Sequence, residues 1–428
     1  MDETAAAATE PRYWPRRHTL VLLAFAALFI CYIDRVNISV AIIPMARDMG
    51  WDTATQGAVL SSFFVGYLLT QVVGGRLADR YGGKMVLGVG VVFWSLFTLL
   101  TPLAAAAGMI ALFAARIGLG VFEGVTLPAI HSMLGRWLPR DERSRAVGVV
   151  FSAMPLGTVF ALLLTPVIVL RFGWEWAFYA FGAMGFVWWA LWQLQVADDP
   201  ASHPGITAHE RALINADTTL TMTPAPALRD LLSRGPVWAI IVAHFCTNWS
   251  GYVLLAWMPK YVNEGLGVEF ASVGLFAFVP QMCAFLALNA AGVVADRMVR
   301  SGGNVTRTRK TLQTIGFAGA ATALMLVGYV HDATQAIALM SLGSIIGAFG
   351  GAGGWGSNHL DIAPRHAGVV MGLSNTAATI PGIVGVYASG LILQWTHSWT
   401  LVFQVAAGVY LFGMVFYLIF ASGERIYD

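Results

Sequence analysis

The chain has 428 residues, 57% hydrophobic and 11% charged, with a mean hydropathy of +0.68 and a formal net charge of +2. Soluble domains carry about 25% charged residues, so this composition excludes an ordinary soluble enzyme and points to an integral membrane protein. The small net charge, with no basic cluster interleaved with aromatics, also excludes a nucleic-acid partner.

A membrane-spanning helix needs about 20 predominantly apolar residues. Twelve segments qualify, roughly 19–45, 56–75, 85–103, 108–131, 146–170, 175–196, 237–258, 270–295, 312–330, 333–356, 367–393 and 399–421. The first is too long for a signal-peptide core and no small-residue cleavage site follows it, so it is expected to stay in the mature protein. An even count places both termini on one side. Of the 25 basic residues, only Arg47, Arg171 and Lys260 fall in loops on the opposite side, while Arg35 and Arg116 lie inside segments. The positive-inside rule therefore predicts cytoplasmic termini and a multi-pass protein of the inner (plasma) membrane. Cys31, Cys246 and Cys283 all fall in apolar segments and read as small packing residues rather than a disulfide or metal framework.

Taken in order, the first segment carries Cys31-Tyr32-Ile33-Asp34-Arg35-Val36-Asn37-Ile38-Ser39 in its middle. Charges at mid-membrane cost about 2.5–3.5 kcal/mol on insertion scales and are usually functional. Adjacent helical residues differ by about 100°, so Asp34 and Arg35 point different ways. After the second segment comes Gly75-Arg76-Leu77-Ala78-Asp79-Arg80-Tyr81-Gly82-Gly83-Lys84, a tight two-glycine turn with Asp79 placed to pair with an arginine such as Arg140 or Arg143. The fourth segment holds Arg116 and Glu123, seven residues apart on one face and about 10 Å apart along the axis, so each needs a partner elsewhere. His131 lies further along that segment as an interfacial residue or a proton carrier.

The stretch 197–236, with Pro200, Pro204, Pro224, Pro226 and Pro236, reads as a linker between an N-terminal bundle, 1–196, and a C-terminal bundle, 237–428. Within it Thr207-Ala208-His209-Glu210 has the form of a capping box opening a surface helix. Val294-Ala295-Asp296-Arg297 after the eighth segment echoes Leu77-Ala78-Asp79-Arg80 after the second. Paired halves with a site between them are the architecture of many secondary transporters. In the second half His244 ranks below His131 as a proton carrier, and Asn248 and Tyr252 on one face of the seventh segment either meet a substrate or cross-link helices. Ser374-Asn375-Thr376 and Thr379 before Pro381-Gly382 suggest a cavity wall or hinge, and the Gly347–Gly356 run suggests close packing or flexibility.

The two-glycine loop closely resembles the signature loop of the major facilitator superfamily, which implies a gate stabilising one conformation through Gly75, Asp79, Arg80 and Gly82. The run from Arg116 through Glu123 to Pro128, Asp141-Glu142-Arg143-Ser144-Arg145, and Asn358-His359-Leu360-Asp361-Ile362-Ala363-Pro364-Arg365 resemble the anion:cation symporter (organic-anion transporter) family. That family includes sialin, vesicular glutamate transporters, plastid anion transporters and bacterial galactonate and hexuronate symporters. The resemblance implies an all-α membrane fold of twelve helices in two pseudo-symmetric six-helix bundles. It implies proton coupling at Asp34 and Glu123, a substrate carboxylate held by Arg35 and Arg116, and weaker contacts from Tyr32 and Asn375. Vesicular glutamate transporters lack an acidic residue at the Asp34 position and carry an arginine where this chain has Thr247, which favours proton symport here.

The expectation is a proton-coupled symporter, a monomer in the lipid bilayer, importing a small organic anion without cofactor or metal. An exchanger or exporter of the same fold is the alternative. A non-transporting receptor ranks lower, and no nucleophile elbow, phosphate loop or metal spacing supports an enzyme.

Overall fold

The computed structural model describes residues 14–215, 228–363 and 367–426. Twelve long helical rods run through these residues: α1 Arg16–Met49, α2 Thr53–Tyr81, α3 Gly83–Ala107, α4 Met109–Trp137, α5 Ala146–Phe172 and α6 Trp174–Gln195, then α7 Gly235–Gly265, α8 Phe270–Arg300, α9 Val305–Val327, α10 Ala333–Ile362, α11 Val369–Thr396 and α12 Trp399–Phe420. Ten are long and apolar enough to cross a membrane. The other two are α2, of which three side chains lie outside the described residues, and α6, whose apolar weight is carried by Trp and Phe.

Local chemistry sets the boundaries. Asp52, Asn304, Asp332 and Ser398 cap α2, α9, α10 and α12 by accepting a backbone N–H from the first turn. Gly50 closes α1 at φ +68°, a conformation that costs glycine little. Pro381 does not break α11, which continues through it. The glycine run in α10 widens into a π-helical stretch, Phe349–Trp355, held by Gln313 of α9, whose Oε1 accepts the Trp355 N–H at 2.9 Å.

The halves repeat each other's packing. In the first, α1 packs on α5 and α6, α2 on α4, and α3 on α4 and α6. Each pairing recurs six helices on, as α7 on α11 and α12, α8 on α10, and α9 on α10 and α12. The halves meet through α1 with α7, α2 with α11 and α5 with α8. The start of α1 and the end of α12 lie on one face, called here the terminal face; the other is the distal face. On the terminal face Arg309 of α9 forms a bidentate pair with Asp361 of α10, at 2.6 and 3.1 Å, joining two helices of the second half.

The linker's described portion docks under the first half. Thr207 Oγ1 accepts the Glu210 N–H as a capping box requires, but the Glu210 carboxylate turns away and accepts the backbone N–H groups of Arg16 and Arg17 at the start of α1. Arg17 reaches both Glu210 and Glu142. An exposed N-terminus attracts an anion through its free N–H groups and its dipole, and that competition takes the glutamate from its own helix.

On the distal face polar contacts lock the halves. The buried Lys260 ammonium of α7 donates to Gln56 Oε1 of α2 at 2.7 Å and pairs with Glu264 at 3.0 Å. Gln394 of α11 accepts from Thr53 N and Oγ1, and Arg47 reaches Asn263. Reading Lys260 as an ordinary loop charge missed its role as a cross-half contact. Replacing it with Met leaves Gln56 Oε1 without its donor and should open this face. In a chain with Cys31, Cys246 and Cys283 changed to Ser, a cysteine at Leu60 should then react several-fold faster with an impermeant maleimide from the distal side. Equal reactivity with and without Lys260→Met would refute the latch.

Candidate functional site

The buried charges converge where α1, α2, α4 and α7 meet. Close approach of α2 and α4 makes this possible. A Cβ on Gly120 would lie 2.0 Å from the Phe63 carbonyl oxygen, and one on Gly66 1.9 Å from that of Ile117. Small residues bring membrane helices this close, and here they seat α4 so that Arg116 and Glu123 face α1. Glu123 ends the first straight section of α4, just before a turn at Gly124–Val125.

Arg35 and Glu123 form the central ion pair, with Arg35 Nη2 3.1 Å from Glu123 Oε2 and both side chains almost wholly buried. Cys31, one turn before Arg35, donates its thiol to the same oxygen at 3.2 Å. The reading of Cys31 as mere packing is therefore corrected: it is part of the ion-pair network. Glu123 Oε1 has no partner. Three aromatic rings surround the Arg35 guanidinium: Tyr32 at 4.7 Å, Phe63 at 5.0 Å and Tyr67 at 4.6 Å. Such contacts stabilise a desolvated cation by about 0.5–2 kcal/mol each. Tyr32 thus serves the arginine directly. Phe63 and Tyr67 went unnoticed in the sequence because an aromatic stripe on α2 looks the same whether it faces lipid or a cation.

Arg116 is fully buried, stands 5.6 Å from the Phe63 ring, and has no hydrogen-bond partner at Nε or Nη1. With Arg35 it lines a narrow cavity whose other walls include Ser39, Phe63, Phe64 and Tyr252, with room for little more than a water molecule. Neither Asp34 nor Glu123 lines it. The predicted division of faces therefore holds for Asp34 and Arg35, which leave α1 in different directions.

Other expected site residues sit elsewhere. Asn375 donates to Gln71 Oε1 of α2 at 3.2 Å, and Gln71 donates to Thr379 Oγ1 at 3.1 Å. Asn375 is therefore a cross-half contact on the terminal side of the cavity, outside its lining. Asn248 cross-links α7 to the Ala378 carbonyl oxygen of α11. His131 is exposed, bonds the Leu127 carbonyl oxygen of its own helix and takes no part in the charge cluster. His244 and His359 share the Ser374 hydroxyl at 3.1 and 3.0 Å, a buried cluster within the second half.

In the two-glycine loop, Gly82 has φ +86° and lies against the Asp198 carboxylate, which accepts the Lys84 N–H at 3.0 Å and pairs with Arg136 at 3.7 Å. Arg80 is exposed and stacks on Tyr81 at 5.3 Å. Gly75 and the side chains of Asp79, Arg140 and Arg143 lie outside the described residues. Among the described residues the echo residue Asp296 pairs only with Arg300 on its own helix, exposed and at 3.6 Å, a contact worth little.

A bundle of long apolar helices, repeated in halves and closed around buried arginines, is the form of a membrane carrier. The sequence profile of the Major Facilitator Superfamily matches residues 24–386. The chain belongs to the major facilitator superfamily. It is a multi-pass membrane transporter and not an enzyme. Over 97% of its length it is 45% identical to a rice (Oryza sativa subsp. japonica) protein named probable anion transporter 4, chloroplastic, covering 70% of that protein. It is 44% identical, again over 97% of its length, to sodium-dependent phosphate transport protein 1, chloroplastic, of Arabidopsis thaliana, covering 81% of that protein. Among solved structures, an inward-facing bacterial homologue of the human lysosomal transporter Spinster superposes with a TM-score of 0.77 at 16% identity, over 95% of this chain and 97% of that one. That likeness is one of fold.

Gly120→Val should destabilise the first half, because the obstructing atoms are backbone and cannot turn aside. Overpacking of this kind costs about 1–3 kcal/mol. The thermal midpoint of the purified protein should drop, whereas Gly408→Ala, with nothing within 4 Å of its added Cβ, should leave it unchanged. Equal midpoints for Gly120→Val and the parent would contradict the close α2–α4 packing.

Proposed function

We propose that the chain is a proton-coupled symporter that carries a small organic anion, a sugar acid or another carboxylate, into the cytoplasm by alternating access. The carrying observation is the buried Arg35–Glu123 pair beside Arg116 at a cavity lined by both arginines. An incoming carboxylate competes with Glu123 for Arg35 and gains Arg116 as a second cation. Glu123, released from its partner in a desolvated site, is neutralised by a proton. Asp34 supplies a second protonation site on the far side of α1. With the anion held and both acids neutral, the net charge that must cross the closed cavity is small, and the halves can rock about it. The anion-transporter names of the relatives support the substrate class.

The moving parts are the bundles 1–196 and 237–428 joined by the linker 197–236. The Gly75–Gly82 loop, with Asp79 and Arg80, serves as the terminal-side gate. The excess of basic residues on the terminal face supports cytoplasmic termini in the inner (plasma) membrane. A single chain contains the whole cavity, which supports a monomer as the working unit.

The test is flux in proteoliposomes with gluconate, glucuronate, ascorbate and phosphate as probes, under an imposed pH or sodium gradient. A pH gradient should drive accumulation of an organic acid. In Glu123→Gln, that accumulation should fall to background while counterflow persists, since Gln mimics the neutral acid. Accumulation driven by sodium alone, or unchanged in Glu123→Gln, would overturn the reading. Arg35→Lys should weaken binding of the same anion by about tenfold, because an ammonium cannot reproduce the planar fork of a guanidinium. Parental affinity in a thermal-shift titration of that variant would count against Arg35 as the carboxylate clamp.

A further inference from the structure

Asp34 presents a problem of its own. Its carboxylate is 1% exposed, neither oxygen has a hydrogen-bond partner, and it does not line the cavity. Trp94 and Thr98 of α3, four residues apart and so on one face, stand beside the carboxylate as donors, short of full hydrogen-bond geometry. Among the described residues Trp94 Nε1 and Thr98 Oγ1 are buried without partners, as are both polar atoms of Asn37, one turn on from Asp34. A buried polar atom without a partner costs about 1–3 kcal/mol, so several in one place signal a site built for changing partners.

We propose that Trp94 and Thr98 are positioning residues that hold the proton of Asp34, out of the substrate's reach. The proposal rests on the reading of Asp34 as a protonation site. With Asp34 ionised, the indole N–H and the threonine hydroxyl both donate to it. With Asp34 protonated, its O–H donates to Thr98 Oγ1. The threonine's own hydrogen then turns to the carbonyl one helical turn back, as Thr101 of the same helix already does with Phe97 at 2.8 Å. Tryptophan can only donate, so it serves the ionised form more strongly; threonine can serve both. The titratable groups facing Asp34 are Glu123 and Arg116 of α4 and, on its own helix, the Cys31 thiol. The helices α3, α5 and α6 bring acidic or basic side chains only near their ends, at Lys84, Arg171 and Glu175.

Infrared pH titration of the purified full-length chain tests this without any substrate. The protonated-carboxyl band lost in Asp34→Asn reports Asp34. Removing a donor that favours the ionised form should move the midpoint of that band toward alkaline pH, by about one pH unit in Trp94→Phe and in the near-isosteric Thr98→Val. Thr98→Ser should restore it. If the band is present and lost in Asp34→Asn, yet its midpoint is unmoved in both variants, the role of Trp94 and Thr98 is overturned while Asp34 protonation stands. If Asp34→Asn removes no titrating band, the protonation-site reading itself fails. Monodisperse size-exclusion profiles for Thr98→Val and Thr98→Ser separate these outcomes from misfolding.

Discussion

The ion pair between Arg35 and Glu123 is the constraint around which the first half is arranged. Two charges are held away from water, and their attraction offsets the desolvation only while the geometry is good and the remaining polar atoms are served. The surroundings supply that service. Cys31 donates to the carboxylate, and rings from α1 and α2 enclose the guanidinium. The glycines of α2 and α4 bring the helices close enough for the pair to form. Breaking such a pair by removing one member costs about 3–5 kcal/mol, which makes it a strong lever. A ligand able to replace Glu123 at Arg35 can shift that much energy between states of the protein.

Contacts on both sides of the cavity turn this local competition into a question of shape. The Lys260–Gln56 contact closes the distal side, and Gln71 with Asn375 and Thr379 joins the halves on the terminal side. Both latches are made of a few side-chain hydrogen bonds, chiefly between α2 and its partners in the second half. Contacts of this kind are cheap to exchange. The packing inside each half recurs from one half to the other. Rigid halves joined by exchangeable contacts are what rocking requires.

Much of this was legible in the sequence. Composition and apolar length set the helix number, and the uneven basic residues set the expected orientation. The echo of Leu77-Ala78-Asp79-Arg80 at Val294-Ala295-Asp296-Arg297 revealed the repeat. Buried charges marked the site because they are costly in lipid. The partners of those charges were not legible. Nothing in the spacing of Arg35 says that it crosses to Glu123 or that Cys31 joins them, since those contacts depend on how two helices rotate against each other. Asn375 was expected at the substrate and instead meets Gln71, because a polar residue facing the opposite half has the same sequence signature as one facing a ligand. Lys260 sits at a helix end, where a charge ordinarily meets water, and only the tertiary structure shows it buried. The two-glycine loop shows a related limit: the sequence places an acid there to meet an arginine, while the turn itself rests on Asp198, more than a hundred residues away in the chain.

The proposed coupling links substrate and proton through one arginine. The most direct measurement is calorimetric binding of an organic acid to the purified protein, repeated in buffers of differing ionisation enthalpy, which counts protons taken up with the ligand. The parent chain should take up protons on binding, and Glu123→Gln should take up fewer while still binding. Binding with no proton uptake in the parent, or identical uptake in the two proteins, would contradict the account.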